Sequence, residues 1–169
     1  MNQALNISDT PEDTIAKTLV EKLRSAYEQQ FTGFYKVINR QSKSWYVYFL
    51  LGRAVWAQAS KCSFRAWYRH IAIHSPSLAG QIGQPVSLYY EYWNYSALSR
   101  LVKLKQFPRN QFSKIVESYV AEVLFDILQA NAWQYDDFGD LTIEAEEREA
   151  GNMPFVMLEN LQSWQKAQQ

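Results

Sequence analysis

Apolar and polar positions follow their most regular pattern in the second half of the chain, where the apolar residues have helical spacing. The apolar stripe comprises Phe112, Ile115, Val116, Tyr119, Val120, Val123, Leu124, Ile127 and Leu128. Steps of three and four residues keep side chains on one side of an α-helix, because one turn takes about 3.6 residues. The pattern therefore predicts a helix of about five turns whose apolar stripe lies in the protein core.

The N-terminal part of the chain combines a further helical pattern with three segments typical of strands. Residues 9–29 carry apolar side chains on one face, and Pro11 stands where proline suits the first turn of a helix. Three segments rich in β-branched and aromatic residues follow, GFYKVINR, SWYVYFL and RAVWAQA, and turn signals separate them. We expect a helix and then an antiparallel meander of these three strands.

Helical spacing returns after the third strand segment, and strand patterns reappear only towards the C-terminus. Apolar residues predict a helix from about Ser63, the segment HSPSLAGQIGQP predicts a loop, and a second helix is expected over about 86–105. After the long apolar stripe, WQYDDF and DLTIEAEE favour strands. A short helix is expected at the end, over about 154–165.

This order of elements indicates the α+β class. We predict one antiparallel sheet domain with an α-helical insertion at about 63–131, flanked by N- and C-terminal helices. The strand at about 141–147 is expected to pair with the meander that precedes the insertion. A length of 169 residues suits a single domain with a substantial core.

The predicted turn between the second and third strands has an unusual composition. Tight hairpin turns favour Asn-Gly or Asp-Gly, because the first residue must tolerate a positive φ and face water. Here the glycine follows two leucines, in the order Leu50, Leu51, Gly52, Arg53. One hypothesis is that a neighbouring segment covers the leucine. The other is that Leu50 or Leu51, together with Arg53 and rings of the LYYEYWNY segment at 88–95, forms a surface patch for a partner.

Composition and charge narrow the class of protein. Seventeen basic and seventeen acidic side chains balance, which argues against a nucleic-acid or anionic-membrane partner. The lone Cys62, the lack of a signal-peptide pattern at the start, and the lack of a bilayer-length apolar run favour a cytoplasmic protein. Residues 99–114 are basic and residues 133–149 mostly acidic, either as solvated surfaces or as patches for a charged protein partner.

The residues that could carry chemistry are few. His70 and His74 stand one helical turn apart, but two ligands do not make a zinc site, and a helix surface or core edge is the favoured interpretation. The segment GQIG lacks the features of a phosphate-binding loop, and Asp136 with Asp137 resembles a turn at a strand end. We therefore predict a non-catalytic protein with no metal and no cofactor.

The tract LYYEYWNY at 88–95 concentrates aromatic rings on a predicted helix. With basic neighbours such rings could stack on single-stranded nucleic acid, but on a helix they point in several directions, which favours core packing combined with a protein interface. Candidate protein-interaction residues, in the turn, on the helix after Ser63 and in this tract, are Leu51, Arg53, Arg65, Arg69, Tyr89, Tyr92 and Trp93.

A combination of short motifs resembles a known family. A Trp-x-Val-Tyr pattern precedes a Gly-Arg turn and Val-Trp-Ala, and a Tyr-Arg-His motif precedes Ser-Pro. The matching residues are Trp45, Val47, Tyr48, Gly52, Arg53, Val55, Trp56, Ala57, Tyr68, Arg69, His70, Ser75 and Pro76. The pattern resembles the PATAN domain, the N-terminal domain of PatA-like cyanobacterial response regulators, over about 33–161. Related domains keep the turn glycine but usually place an acidic residue where this chain has Leu51.

The resemblance implies a signalling module of a two-component response regulator that acts by protein–protein interaction, in cell patterning or in phototactic motility. Its partner would be a cytoplasmic signalling protein or part of the type IV pilus machinery. Family members usually continue into a C-terminal receiver domain, which we expect to be absent from these 169 residues. The alternative is a nucleic-acid-binding regulatory domain, which overall neutrality and the absence of a basic recognition helix disfavour.

Overall fold

The computed structural model describes residues 11–39, 41–61, 64–80, 95, 97–98, 108–132 and 141–149. Its elements, in chain order, are α1 (Pro11–Glu28), β1 (Gly33–Ile38), β2 (Ser44–Leu50), β3 (Arg53–Ala59), α2 (Phe64–His74), α3 (Pro76–Ala79), α4 (Arg109–Ala132) and β4 (Thr142–Glu147). The predicted N-terminal helix, the three-stranded meander, the helix after Ser63, the long amphipathic helix and the late strand are all confirmed.

The strands form one antiparallel sheet in the order β3-β2-β1-β4. Strand β1 therefore pairs with the next strand in the sequence on one side and with the last described strand on the other. Gly33 stands opposite Phe49 of β2 and opposite Glu147 of β4. The predicted return of the chain to the meander after the helices is confirmed, and the fold is α+β.

Helix α1 packs against α4 and reaches strand β1 through one hydrogen bond. The Tyr35 hydroxyl donates to the carbonyl oxygen of Lys22 at 3.5 Å. The ring of Phe31, in the connection after α1, packs against Tyr35 at 5.1 Å and against Phe49 at 5.9 Å between centroids. Buried Leu19 and Ala26 provide the inner surface of the helix, as their spacing predicts.

Helix α4 packs against the sheet through the predicted apolar stripe. The buried members are Phe112, Ile115, Tyr119, Val123 and Ile127, and Val116 and Leu124 are half-buried beside them. The ring of Tyr119 stacks on Trp56 of β3 at 4.7 Å with an interplanar angle of 8°. The indole N–H of Trp45 donates to Asp126 Oδ2 at 2.8 Å, so that the helical insertion and the sheet share one core.

Helix α3 lies in a segment that was predicted to be a loop. Pro76 begins the helix, and the backbone N–H groups of Leu78 and Ala79 both donate to the carbonyl of Ser75 at 3.1 Å. The Tyr68 hydroxyl donates to the Ala79 carbonyl at 2.9 Å. Leu78 and Ala79 are buried, so packing against α2 stabilises a turn of helix that is too short to show a period in the sequence.

Several predicted elements lie outside the described residues. They are most of the helix at about 86–105, the strand WQYDDF and the C-terminal helix at about 154–165. Of the first, Tyr95, Ala97 and Leu98 are described and are helical. Among the helices that the structure describes, none combines the length and the apolar character required to cross a membrane.

Candidate interaction surface

The β2–β3 turn is a two-residue connection with both central residues in the left-handed region. Leu51 has φ +47° and Gly52 has φ +80°, the combination that a type I′ hairpin turn requires. The N–H of Leu51 donates to Thr32 Oγ1 at 3.0 Å, and the N–H of Gly52 donates to the Phe31 carbonyl at 2.7 Å. The turn is thus fixed to the connection between α1 and β1.

Glycine at position 52 allows the turn to approach the end of α1. A Cβ atom there would lie 2.7 Å from the carbonyl oxygen of Ala26 and 2.7 Å from the Cα of Tyr27. No side chain fits at this distance. The backbone of the turn and Leu50 are therefore covered by neighbouring segments, whereas the side chain of Leu51 is 39% exposed.

Two further exposed apolar side chains lie on the outer face of α1. Val20 and Tyr27 are both more than half exposed and stand seven positions apart, which places them on one side of the helix. The backbone of Tyr27 lies beside Gly52, so Tyr27 and Leu51 are neighbours in the fold, and Val20 lies two turns earlier on the same side of α1. We call these three exposed side chains the apolar patch. Exposed Arg53 follows the turn directly.

The other candidate residues do not converge on this patch. Arg65 and Arg69 are exposed on α2, which packs against α3 and α4. Arg69 forms an ion pair with Glu122 of α4 and so contributes to the contact between the two helices. Tyr89, Tyr92 and Trp93 lie outside the described residues. Tyr95, the last ring of the same tract, is buried between Trp56 and Phe112.

A buried histidine lies where α2 meets α4. His70 is 3% exposed, and its Nδ1 lies 3.1 Å from Ser118 Oγ and its Nε2 2.8 Å from Glu122 Oε2. The imidazole also meets the ring of Tyr119 edge-on at 4.8 Å. Burial lowers the pKa of His70, and the positive charge of Arg69 lowers it further, although the Glu122 carboxylate opposes both.

The order Ser118, His70, Glu122 resembles the hydroxyl, imidazole and carboxylate of a nucleophilic site. Acyl transfer also needs backbone donors aimed at the developing oxyanion. Ser118 lies in the middle of α4, where helix hydrogen bonds occupy the neighbouring backbone N–H groups. The contacts of His70 with Ser118 and Glu122 join α2 to α4. Within the described ranges, no three His, Cys, Asp or Glu side chains converge on a possible metal position.

The lowered pKa of His70 predicts a pH-dependent stability. Between the ordinary histidine pKa of about 6.5 and the lower folded value, the unfolded chain binds more protons, so stability falls as pH falls. The slope from one histidine is at most about 1.4 kcal/mol per pH unit. In urea titrations between pH 8 and pH 5, the His70→Gln variant should lose this slope. The His74→Gln control should keep it, and an unchanged slope in His70→Gln would contradict the assignment.

The described residues thus include the exposed apolar patch, to which Leu51 of the turn belongs, and a buried polar cluster around His70 that joins α2 and α4. Sequence reasoning found Leu51 and Arg53 but did not single out Val20 and Tyr27. Their signal was present, because both are apolar residues on the polar side of an amphipathic helix.

Searches against protein-family models, curated proteins and solved structures find no significant match to this chain.

Proposed function

We propose that this chain is a non-catalytic protein-interaction module that docks on a cytoplasmic protein through the apolar patch. The single observation that supports the proposal is the exposure of Leu51 and Tyr27 beside a turn with a fixed backbone, with exposed Val20 on the same side of α1. Tyrosine and arginine are enriched among the few residues that contribute most of the binding energy of protein interfaces. Arg53 at the edge of the patch adds a charge that could bind a carboxylate of the partner.

The resemblance to the PATAN domain provides the biological context of the proposal. In that context the module belongs to a two-component response regulator with a C-terminal receiver domain, and its output is cell patterning or phototactic motility. Its partner is then a signalling protein or a component of the type IV pilus machinery. The role of the apolar patch is supported by exposed side chains, whereas membership of a response regulator is supported by sequence motifs, so either can hold without the other.

The proposal is tested by two substitutions in the patch, Leu51→Asp and Tyr27→Ser. Both side chains are exposed, so melting temperatures should stay close to that of the wild type. Quantitative affinity capture from cell extract should recover proteins with the wild type that both variants lose. Aspartate at position 51 suits the positive φ of the turn, so that weaker capture would not reflect a disturbed backbone.

Ile73→Ser is the matched control, because Ile73 is an equally exposed apolar side chain on α2 rather than on the patch. It should capture the same proteins as the wild type. Equal capture by all four proteins would contradict the proposal. DNA binding that is tight at low salt and collapses at higher salt would instead favour the nucleic-acid-binding alternative.

A further inference from the structure

Strand β4 forms one edge of the four-stranded sheet that the described residues build. The N–H of Arg148 donates to the carbonyl of Thr32 at 3.0 Å, which fixes the phase of the antiparallel ladder. Hydrogen-bonded pairs alternate along such a ladder, so the even-numbered residues of β4 bond to β1. The backbone groups of Ile143, Ala145 and Glu147 therefore point outward, and no element in the described part of the chain pairs with them.

A cleft of about 390 Å³ lies beside this edge on the sheet face opposite α1. It is lined by Phe34, Lys36, Tyr46, Glu144, Ala145 and Glu146. The rings of Phe34 and Tyr46 meet edge-on at 5.7 Å between centroids. In the ladder Phe34 stands opposite Glu146 and Lys36 opposite Glu144, so the cleft combines an aromatic surface with two carboxylates and one lysine.

The residue after β4 shows which group suits this surface. The guanidinium carbon of Arg148 lies 4.8 Å from the centre of the Phe34 ring, and its Nε lies 3.1 Å from Glu146 Oε1. One cation thus contacts an aromatic face and a carboxylate together, an arrangement that favours arginine. Glu144 and Ala145 are exposed next to this contact.

We propose that the outer edge of β4 binds an extended, basic segment of a partner protein by strand addition. The partner backbone would pair with Ile143, Ala145 and Glu147. Glu144 and Glu146 would occupy the non-hydrogen-bonded positions of the new ladder, where facing side chains are closest. Arginine or lysine at alternate partner positions would face these carboxylates, and at Glu146 the partner cation would share the carboxylate with Arg148. The inference rests on the proposed function only in taking the partner to be a protein, since this edge is distinct from the apolar patch.

Charge complementarity favours a basic segment over a second copy of this chain that pairs about Ala145. Antiparallel pairing of two β4 strands about Ala145 would place Glu144 of each copy opposite Glu146 of the other. Like charges directly opposite each other destabilise a strand pair. A segment with alternating basic residues instead replaces these repulsions with attractions.

The probe is a labelled nonapeptide that has arginine at alternate positions and threonine or valine between them. Its binding is measured by fluorescence anisotropy. The peptide should bind the wild-type chain saturably, and its glutamate counterpart should not. Glu144→Gln combined with Glu146→Gln should weaken binding about tenfold, because two cross-strand charge pairs are lost.

Ala145→Pro separates strand addition from simple charge attraction. Its proline removes an N–H that faces outward, so the β1–β4 ladder is retained while pairing with the probe is blocked. Ala145→Val keeps the N–H and is the matched control. We expect Ala145→Pro to abolish binding and Ala145→Val to retain it, with thermal unfolding confirming that both variants are folded.

Equal binding of the arginine peptide to Ala145→Pro and wild type, or its failure to bind wild type, would overturn the inference. Dimerisation of the wild type that Ala145→Pro abolishes would overturn the choice of a basic partner segment. In either case, capture of proteins that depends on Leu51 and Tyr27 would leave the proposed function standing. If the capture of proteins did not depend on Leu51 and Tyr27 but the peptide still bound, the proposed role of the apolar patch would be wrong and the inference about the β4 edge would stand.

Discussion

Replacing Val123 with aspartate is expected to unfold the domain. Val123 is 7% exposed on the side of α4 that faces the core, between Tyr119 and Ile127 along the stripe. An unpaired carboxylate at such a position costs several kcal/mol, compared with a total stability of roughly 5–15 kcal/mol for a domain. Far-UV circular dichroism with thermal and urea unfolding measures the effect.

Phe125→Asp is the matched control for this change. Phe125 is two residues away on the same helix and is 59% exposed, so the same charge remains in water. Its expected effect is within about 0.5 kcal/mol, the range for surface substitutions away from special features. Wild-type melting of Val123→Asp, or equal destabilisation by both variants, would mean that the inner face of α4 is assigned incorrectly.

Replacing Gly52 with alanine is expected to cause the second largest loss of stability. The new Cβ would lie 2.7 Å from backbone atoms of Ala26 and Tyr27, and the residue would have to keep φ near +80°. Backbone strain and overpacking together should lower the free energy of unfolding by about 2–5 kcal/mol. Because the clash is with backbone, side-chain rotation cannot relieve it. Urea unfolding of the purified variant gives the value.

The neighbouring substitution Leu51→Asn should act in the opposite direction. Leu51 has φ +47° and an exposed side chain, and asparagine adopts this conformation more readily than leucine. We expect a gain of up to about 1 kcal/mol, because the left-handed conformation costs an ordinary L-residue roughly 1–2 kcal/mol. A loss of stability in Leu51→Asn together with wild-type stability in Gly52→Ala would contradict the assigned turn conformation and its contact with α1.

The elements that sequence reasoning predicted are those with strong local patterns. The repeat from Phe112 to Ile127 fixed the position of α4, and aromatic and β-branched segments between turn signals fixed β1 to β3. Helix α3 was not predicted, because four residues show no period and its support comes from Tyr68 and from burial of Leu78. Local pattern indicates an element only where that element is long enough to repeat.

The candidate surfaces could be predicted from the sequence only in part. Leu51 could be identified, because leucine is unusual before a turn glycine and the sequence displays this directly. Tyr27 did not, because a single exposed apolar residue on a helix is common and only the fold brings it against the turn. Likewise Phe34 and Glu146 become neighbours only through the pairing of β1 with β4. Long-range contact, and not residue type, defines both surfaces.

The pairing of β1 with the next strand and with the last described strand has a consequence during biosynthesis. β2 leaves the ribosome directly after β1, but β4 follows only after the whole helical insertion has been translated. At about 5–20 residues per second, the second edge of β1 waits several seconds for its partner. Until then the nascent meander presents an unpaired apolar edge, the kind of surface that chaperones shield and that favours misassembly on crowded polysomes. The length of the insertion sets the duration of that interval.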